Sequence, residues 1–178
     1  MKGMVFTEFL EMVEGQHGYE LVDQIIEDCE LESEGIYTAV GTYPHSEMVQ
    51  LIVALSQRSN IPVPDLLHTF GRYLFDTFLS KYPGFFKEAD NAFDFFSSIQ
   101  EYIHVEVLKL YPDAQLPEFR TILKEERQLH LVYESDRKMS TFALGLLEKG
   151  LEYYQEEADI IVENLESDGS KVLFKIMK

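Results

Sequence analysis

Apolar positions recur at helical spacing through the first half of the chain. Val5, Phe6, Phe9, Leu10 and Val13 predict an opening helix, which Gly15 and Gly18 interrupt. Leu21, Ile25 and Ile26 predict a second. Gly35 and Gly41-Thr42-Tyr43-Pro44 mark a loop, after which Ser46 is the expected N-cap of a helix carrying Met48, Leu51, Ile52 and Leu55. Asn60-Ile61-Pro62-Val63-Pro64 punctuates the chain and is the expected lobe boundary, between a helical N-terminal lobe (1–63) and a larger lobe (64–178). Two longer helices are predicted next. One runs from Asp65 to Ser80 and stops at Tyr82-Pro83-Gly84. The other runs from Asn91 to Leu110, before Pro112 and Pro117 break the pattern.

The period changes after Pro117. Phe119–Lys124 and Leu129–Tyr133 read as paired strands around a charged turn. Lys138–Gln155 returns to helical spacing. Asp159–Glu166 and Lys171–Met177 read as a hairpin across Ser167-Asp168-Gly169-Ser170, where Asp-Gly between β-branched runs is a strong turn signal. The sum is an α+β chain of about seven helices and a four-stranded antiparallel sheet.

Composition narrows the function classes. The 178 residues suit one domain with a sizeable core, and 46% apolar residues fit a globular chain. Fifteen Lys and Arg against 32 Asp and Glu leave a net charge of −17, a surface that repels phosphate backbones and anionic lipids. Neither a nucleic acid nor a membrane is the expected partner. Cys29 stands alone, so neither an internal disulfide nor a Cys-built zinc site is open to the chain. No signal-peptide apolar region and no run of roughly 20 apolar residues is visible, so the expectation is a cytoplasmic soluble protein.

Candidate chemistry converges on His104. Helical spacing places it beside Phe93, Phe96, Gln100, Val107 and Leu108, on the stripe expected to face the core. A buried imidazole needs a hydrogen-bond partner or a metal, and a packed, satisfied core histidine is the commoner case. One imidazole cannot build a zinc site, but it suffices as an axial ligand to haem, whose porphyrin supplies the other nitrogens. Haem also needs an apolar slot, for which 13 Phe and 10 Tyr are available, and partners for two propionates. Tyr133-Glu134-Ser135-Asp136-Arg137 offers these. In extended backbone a phenol, a hydroxyl and a guanidinium at alternate positions point one way and grip a carboxylate. No nucleophilic triad, phosphate loop or convincing carboxylate pair is visible, so no enzyme activity is expected.

A Tyr-x-Ser-x-Arg motif downstream of a core-facing helical His, with Pro117, the Arg137-Lys138-Met139 continuation and the Met1-Lys2-Gly3 opening, carries a family likeness. The whole chain resembles the haem–nitric oxide/oxygen binding (H-NOX) domain, related to the haem domain of soluble guanylate cyclase, in its standalone bacterial form. The resemblance implies haem b buried between two lobes, with His104 as its proximal iron ligand. It makes Tyr133, Ser135 and Arg137 the propionate clamp and Pro117 the residue pressing on the porphyrin. Val5, Phe9, Leu74, Phe78, Phe142 and Leu146 would line the distal pocket, with the N-terminal lobe on the distal side. Relatives that hold O₂ carry a distal Tyr where this chain has Phe142, so the implied ligands are NO and CO, with poor O₂ binding. Tyr73, beside Leu74, would supply a hydroxyl if the register shifted by one. The implied signal is a weakened or broken Fe–His104 bond, read by a separate histidine kinase or cyclic-di-GMP cyclase/phosphodiesterase. An O₂-binding haemoprotein or haem enzyme, and a metal-free helical interaction module, are the alternatives.

Overall fold

The computed structural model describes all residues, 1–178. Helices α1 (Gly3–His17), α2 (Tyr19–Glu27) and α3 (His45–Ser59) precede the long α4 (Val63–Lys81). A short 3₁₀ turn, Pro83–Phe86, follows. Next, α5 (Ala92–Ser98), a π turn (Ile99–Ile103) and α6 (His104–Leu110) run on as one rod, so the seven α segments form six helices. Strands β1 (Glu118–Lys124) and β2 (Gln128–Glu134) come next, then α7 (Ser140–Tyr153), β3 (Asp159–Asn164) and β4 (Lys171–Met177). The sheet is antiparallel throughout, in the order β1-β2-β4-β3. The α+β architecture and its four-stranded antiparallel sheet match the sequence expectation.

Three local expectations need correction. Ser46 is not an N-cap. Helix α3 starts two residues earlier than that cap implies, at His45, behind Pro44, whose fixed φ of −57° sets the entry and leaves no side-chain cap. The predicted 91–110 helix is not regular, because the π turn inserts one residue's worth of extra backbone before His104. The face therefore changes across it. Phe93 and Phe96 are buried, whereas Gln100 and Leu108, assigned to the same stripe, are exposed. Finally, Ser135 and Arg137 do not continue β2 as extended chain. The strand ends at Glu134 and the backbone turns, with Lys138 at φ 54°.

Two hydrophobic cores result. Phe6, Phe9, Met12, Leu51 and Leu55 build the first, and α4 completes it with Leu66, Phe70 and Leu74. The second joins Phe75, Phe93 and Phe96 to the inner face of the sheet, Leu129, Leu131, Phe174 and Ile176, and to Ala143, Leu147 and Leu151 of α7. Helix α4 thus serves both cores. It crosses α7 at very close range. A Cβ added at Gly71 would sit 2.1 Å from the Phe142 carbonyl oxygen, and one at Gly145 would sit 2.2 Å from that of His68. Only glycine permits this backbone approach. Polar contacts flank the crossing: His68 on α4 hydrogen-bonds Glu148 on α7, and Arg72 pairs with Glu148 and Glu152.

Candidate haem site

Between the two cores lies a cavity of about 250 Å³, and 25 of its 31 lining residues are hydrophobic. Walls come from α1, α4, the α5–α6 rod, the loop after α6, the ends of β1 and β2, and α7.

His104 stands on this wall as the first residue of α6. Its ring meets Phe119 edge-on, with centroids 6.0 Å apart. Its Nδ1 is buried and has no hydrogen-bond partner. Burial pushes its pKa down to about 4, so the ring is neutral near pH 7 and keeps a lone pair available. Buried polar atoms in native proteins are nearly always paired, so an orphan on a cavity wall points to a ligand. The neighbouring π turn is stitched to the sheet, because Gln100 Oε1 accepts the Phe119 N–H at 3.0 Å. Pro117 lines the same cavity, on the segment between α6 and β1.

Tyr133, Ser135 and Arg137 also reach the cavity, but they meet through a turn and not along a strand. The Arg137 N–H donates to Ser135 Oγ at 3.2 Å and the Lys138 N–H to the Ser135 carbonyl at 3.1 Å, closing that turn. From outside, Ser135 N–H donates to the Ser170 carbonyl at 2.8 Å, and Lys138 pairs with Asp168 at 2.8 Å. Tyr133 is buried, and its hydroxyl accepts the Met139 N–H at 3.3 Å. Arg137 is half-buried, and burial lowers its pKa. The chain carries 32 carboxylate side chains, yet no ion pair includes Arg137. It lies on both the apolar cavity and a polar cleft beside it, so its guanidinium stands where an apolar slot opens to polar surroundings. A half-buried cation without an anion is costly, and a ligand carboxylate would relieve that cost.

Val5, Leu74, Phe78, Phe142 and Leu146 line the cavity as well. Phe9 does not, which corrects the expectation for that residue. It is fully buried in the first core and packs edge-on against Phe70 at 5.3 Å, because it lies one helical turn beyond Val5 and meets α4 there. Tyr73 also lies off the wall, packed against the first core near Glu8 and Glu11. Two hydroxyls escaped the sequence reading. Tyr82 and Tyr111 line the cavity with their oxygens 3.1 Å apart, and the Tyr82 O–H also donates to Met4 Sδ at 3.6 Å. Burial and the Tyr111 partner push Tyr82 up to about 12. Helical spacing held the signal, since Tyr82 follows Phe78 by one turn and Tyr111 follows His104 by two.

No group of three or more His, Cys, Asp or Glu side chains could hold a metal ion, so a metal at His104 needs its other ligands from a cofactor. An apolar slot, a free imidazole and an unpaired guanidinium at the mouth together fit haem with its propionates.

Known proteins agree with this geometry. Residues 2–162 match the sequence model of a family described as haem-NO-binding. A crystal structure of the Fe(II) unliganded H-NOX protein from K. algicida is 44% identical and superposes with a TM-score of 0.97, covering 100% of this chain and 96% of that one. The H-NOX from Shewanella woodyi, solved in the Fe(II)CO state, is 42% identical with a TM-score of 0.85 and covers 100% and 94% of the two chains. An H-NOX protein from S. oneidensis in the Fe(II)NO state is 27% identical, with a TM-score of 0.89 and coverage of 99% and 98%. No curated protein sequence matches. Fold, cavity and sequence match therefore lead to one conclusion, that this chain belongs to the haem-NO-binding (H-NOX) family.

Proposed function

We propose that the chain is a haem-based sensor of nitric oxide that regulates a separate signalling protein and has no catalytic activity of its own. The observation that carries this reading is the His104 imidazole on the wall of an apolar cavity, its Nδ1 buried and without a partner. Haem b bound there supplies a ferrous iron that takes a diatomic gas. His104 is its protein ligand, and Tyr133, Ser135 and Arg137 hold its propionates. Pro117 would present a rigid ring to the bound group from the cavity wall.

Selectivity follows from the remaining wall. O₂ held there would accumulate negative charge and gain from a hydroxyl donor, whereas NO and CO would gain less. Val5, Leu74, Phe78, Phe142 and Leu146 offer no donor, and the Tyr82 and Tyr111 hydroxyls already have partners. Lacking a charge-assisted hydrogen bond weakens O₂ binding by about 1.5–3 kcal/mol, roughly tenfold to over a hundredfold. NO and CO are therefore the preferred ligands.

Signalling uses His104 as a movable tether. No protein group holds its Nδ1, so letting go costs α6 no internal side-chain hydrogen bond. A partner reads the change only if it binds the two conformers with different affinity. The partner class is a histidine kinase or a cyclic-di-GMP cyclase/phosphodiesterase, and the −17 charge suits docking against a basic surface.

Absorption spectroscopy of the ferrous protein under NO, CO and air tests this reading. The expected result is a Soret band that shifts with NO and with CO but not with air. A stable ferrous O₂ spectrum would replace the NO reading with an O₂ carrier. Failure to take up haem would leave a metal-free interaction module.

A further inference from the structure

Polar links between the N-terminal helices and the part of the chain beyond α4 are few. Every hydrogen bond and ion pair joining residues 1–60 to residues 83–178 ends on one side chain, that of Asp113. Asp113 lies in the loop that leaves α6, between the His104 helix and Pro117. Lys2 Nζ donates to its two oxygens at 3.0 and 3.2 Å, and Thr42 Oγ1 donates to Oδ2 at 2.5 Å.

The other half of the clip is rigid. The Lys2 side chain is only 12% exposed. It also donates to Thr42 Oγ1 and to the Val40 carbonyl, both at 2.8 Å, and lies 5.4 Å from the Tyr111 ring centroid. Lys2 forms a β-bridge with Thr42 just before α1 begins. Gly3 N–H to Gly41 O (2.8 Å), Met4 N–H to Ala39 O (3.0 Å) and Tyr43 N–H to Met1 O (2.9 Å) extend that strap. Movement of the α6 exit loop must therefore either carry the strap along or break Asp113 free. Thr42 and Lys2 hold the Asp113 carboxyl below the usual carboxylate range, so it remains an anion.

We propose that Asp113 is a positioning residue that couples the position of the His104 helix to the seating of α1, through Lys2 and Thr42. It rests on the haem reading above but assigns a role that the haem contacts do not supply.

Hydrogen–deuterium exchange on the haem-loaded protein, with and without NO, tests it. In the wild type, NO should speed exchange at the Gly3, Met4 and Tyr43 amides. In Asp113→Ala these amides should exchange about tenfold faster before NO is added, and NO should add nothing further. Thr42→Val removes one arm without touching Asp113 and should give a smaller change in the same direction. The Soret band and its NO shift should match wild type in both variants. An NO-induced increment that survives in Asp113→Ala, or is missing from the wild type, overturns the coupling. Absence of the Soret shift itself would instead refute the haem reading.

Discussion

Gly145→Ala tests whether α4 and α7 are as close as the cavity requires. The new Cβ would lie 2.2 Å from the His68 carbonyl oxygen and 3.1 Å from the Arg72 nitrogen, both backbone atoms that no rotamer change can move. Restoring ordinary van der Waals contact demands about 1 Å of helix separation. The His68–Glu148 hydrogen bond and the ion pairs of Arg72 with Glu148 and Glu152 resist it. Overpacking of this kind costs about 1–3 kcal/mol, whereas alanine in a helix gains up to about 1 kcal/mol over glycine. With the full offset the expected net effect is a loss of up to about 2 kcal/mol, a drop in Tm of up to roughly 8 °C for a domain of this size. Gly15→Ala is the matched control. That glycine is also inside a helix, but a Cβ there meets nothing within 4 Å, so the same substitution should stabilise by about 0.5–1 kcal/mol. Chemical denaturation of both variants reads the sign directly. Because Phe142 and Leu146 flank Gly145 on the cavity wall, CO association should change in Gly145→Ala alone. A Gly145→Ala protein at least as stable as wild type would refute the close-approach argument.

Three further outcomes are expected. Arg137→Leu removes the charge-assisted donor at the cavity mouth and should speed haem loss about tenfold to a hundredfold, measured by transfer to apomyoglobin; an unchanged rate would remove Arg137 from the clamp. Phe142→Tyr places a hydroxyl on an otherwise donor-free part of the wall and should yield a ferrous O₂ complex visible in air, with CO affinity nearly unchanged. The pH dependence of apo-protein stability should carry the mark of His104. Its folded pKa, about 4, lies below the usual histidine value of 6.5, so the unfolded chain binds more protons between the two. Stability should fall as pH drops from 6.5 toward 4, by up to about 3 kcal/mol, and level off below; His104→Gln should lose that component in urea titrations across this range.

Where backbone periodicity and turn chemistry agree, the chain was legible. Asp168-Gly169 marked the β3–β4 hairpin, alternation marked β1 and β2, and Pro117 marked the change from helix to sheet. His104 stood out because a polar ring on an apolar stripe has few explanations, and in the structure its Nδ1 has no hydrogen-bond partner. The misreadings share a cause, in that each needed information from outside its own window. Ser46 looked like a cap because the entry set by Pro44 acts two residues earlier. Ser135 and Arg137 looked like strand positions because the turn that joins them is held from outside by Ser170 and Asp168, far along the chain. Phe9 was placed on the distal pocket by the family likeness, whereas in the fold it packs against Phe70; Leu108 was assigned its face by an ideal helical period and is rotated outward beyond the π turn. Tyr82 and Tyr111 sit at helix ends, where a local reading sees termination before it sees a cavity.

The wide turn at 99–103 makes the aim of His104 a matter of counting. Each residue of an α-helix advances about 100° around the axis, so a one-residue deletion there would straighten the rod and swing position 104 away from the slot. All the named side chains would survive such a deletion, and the helix would gain regularity. The result would be a better-formed helix with its imidazole pointing elsewhere, so in this segment an insertion or deletion is more damaging than almost any substitution.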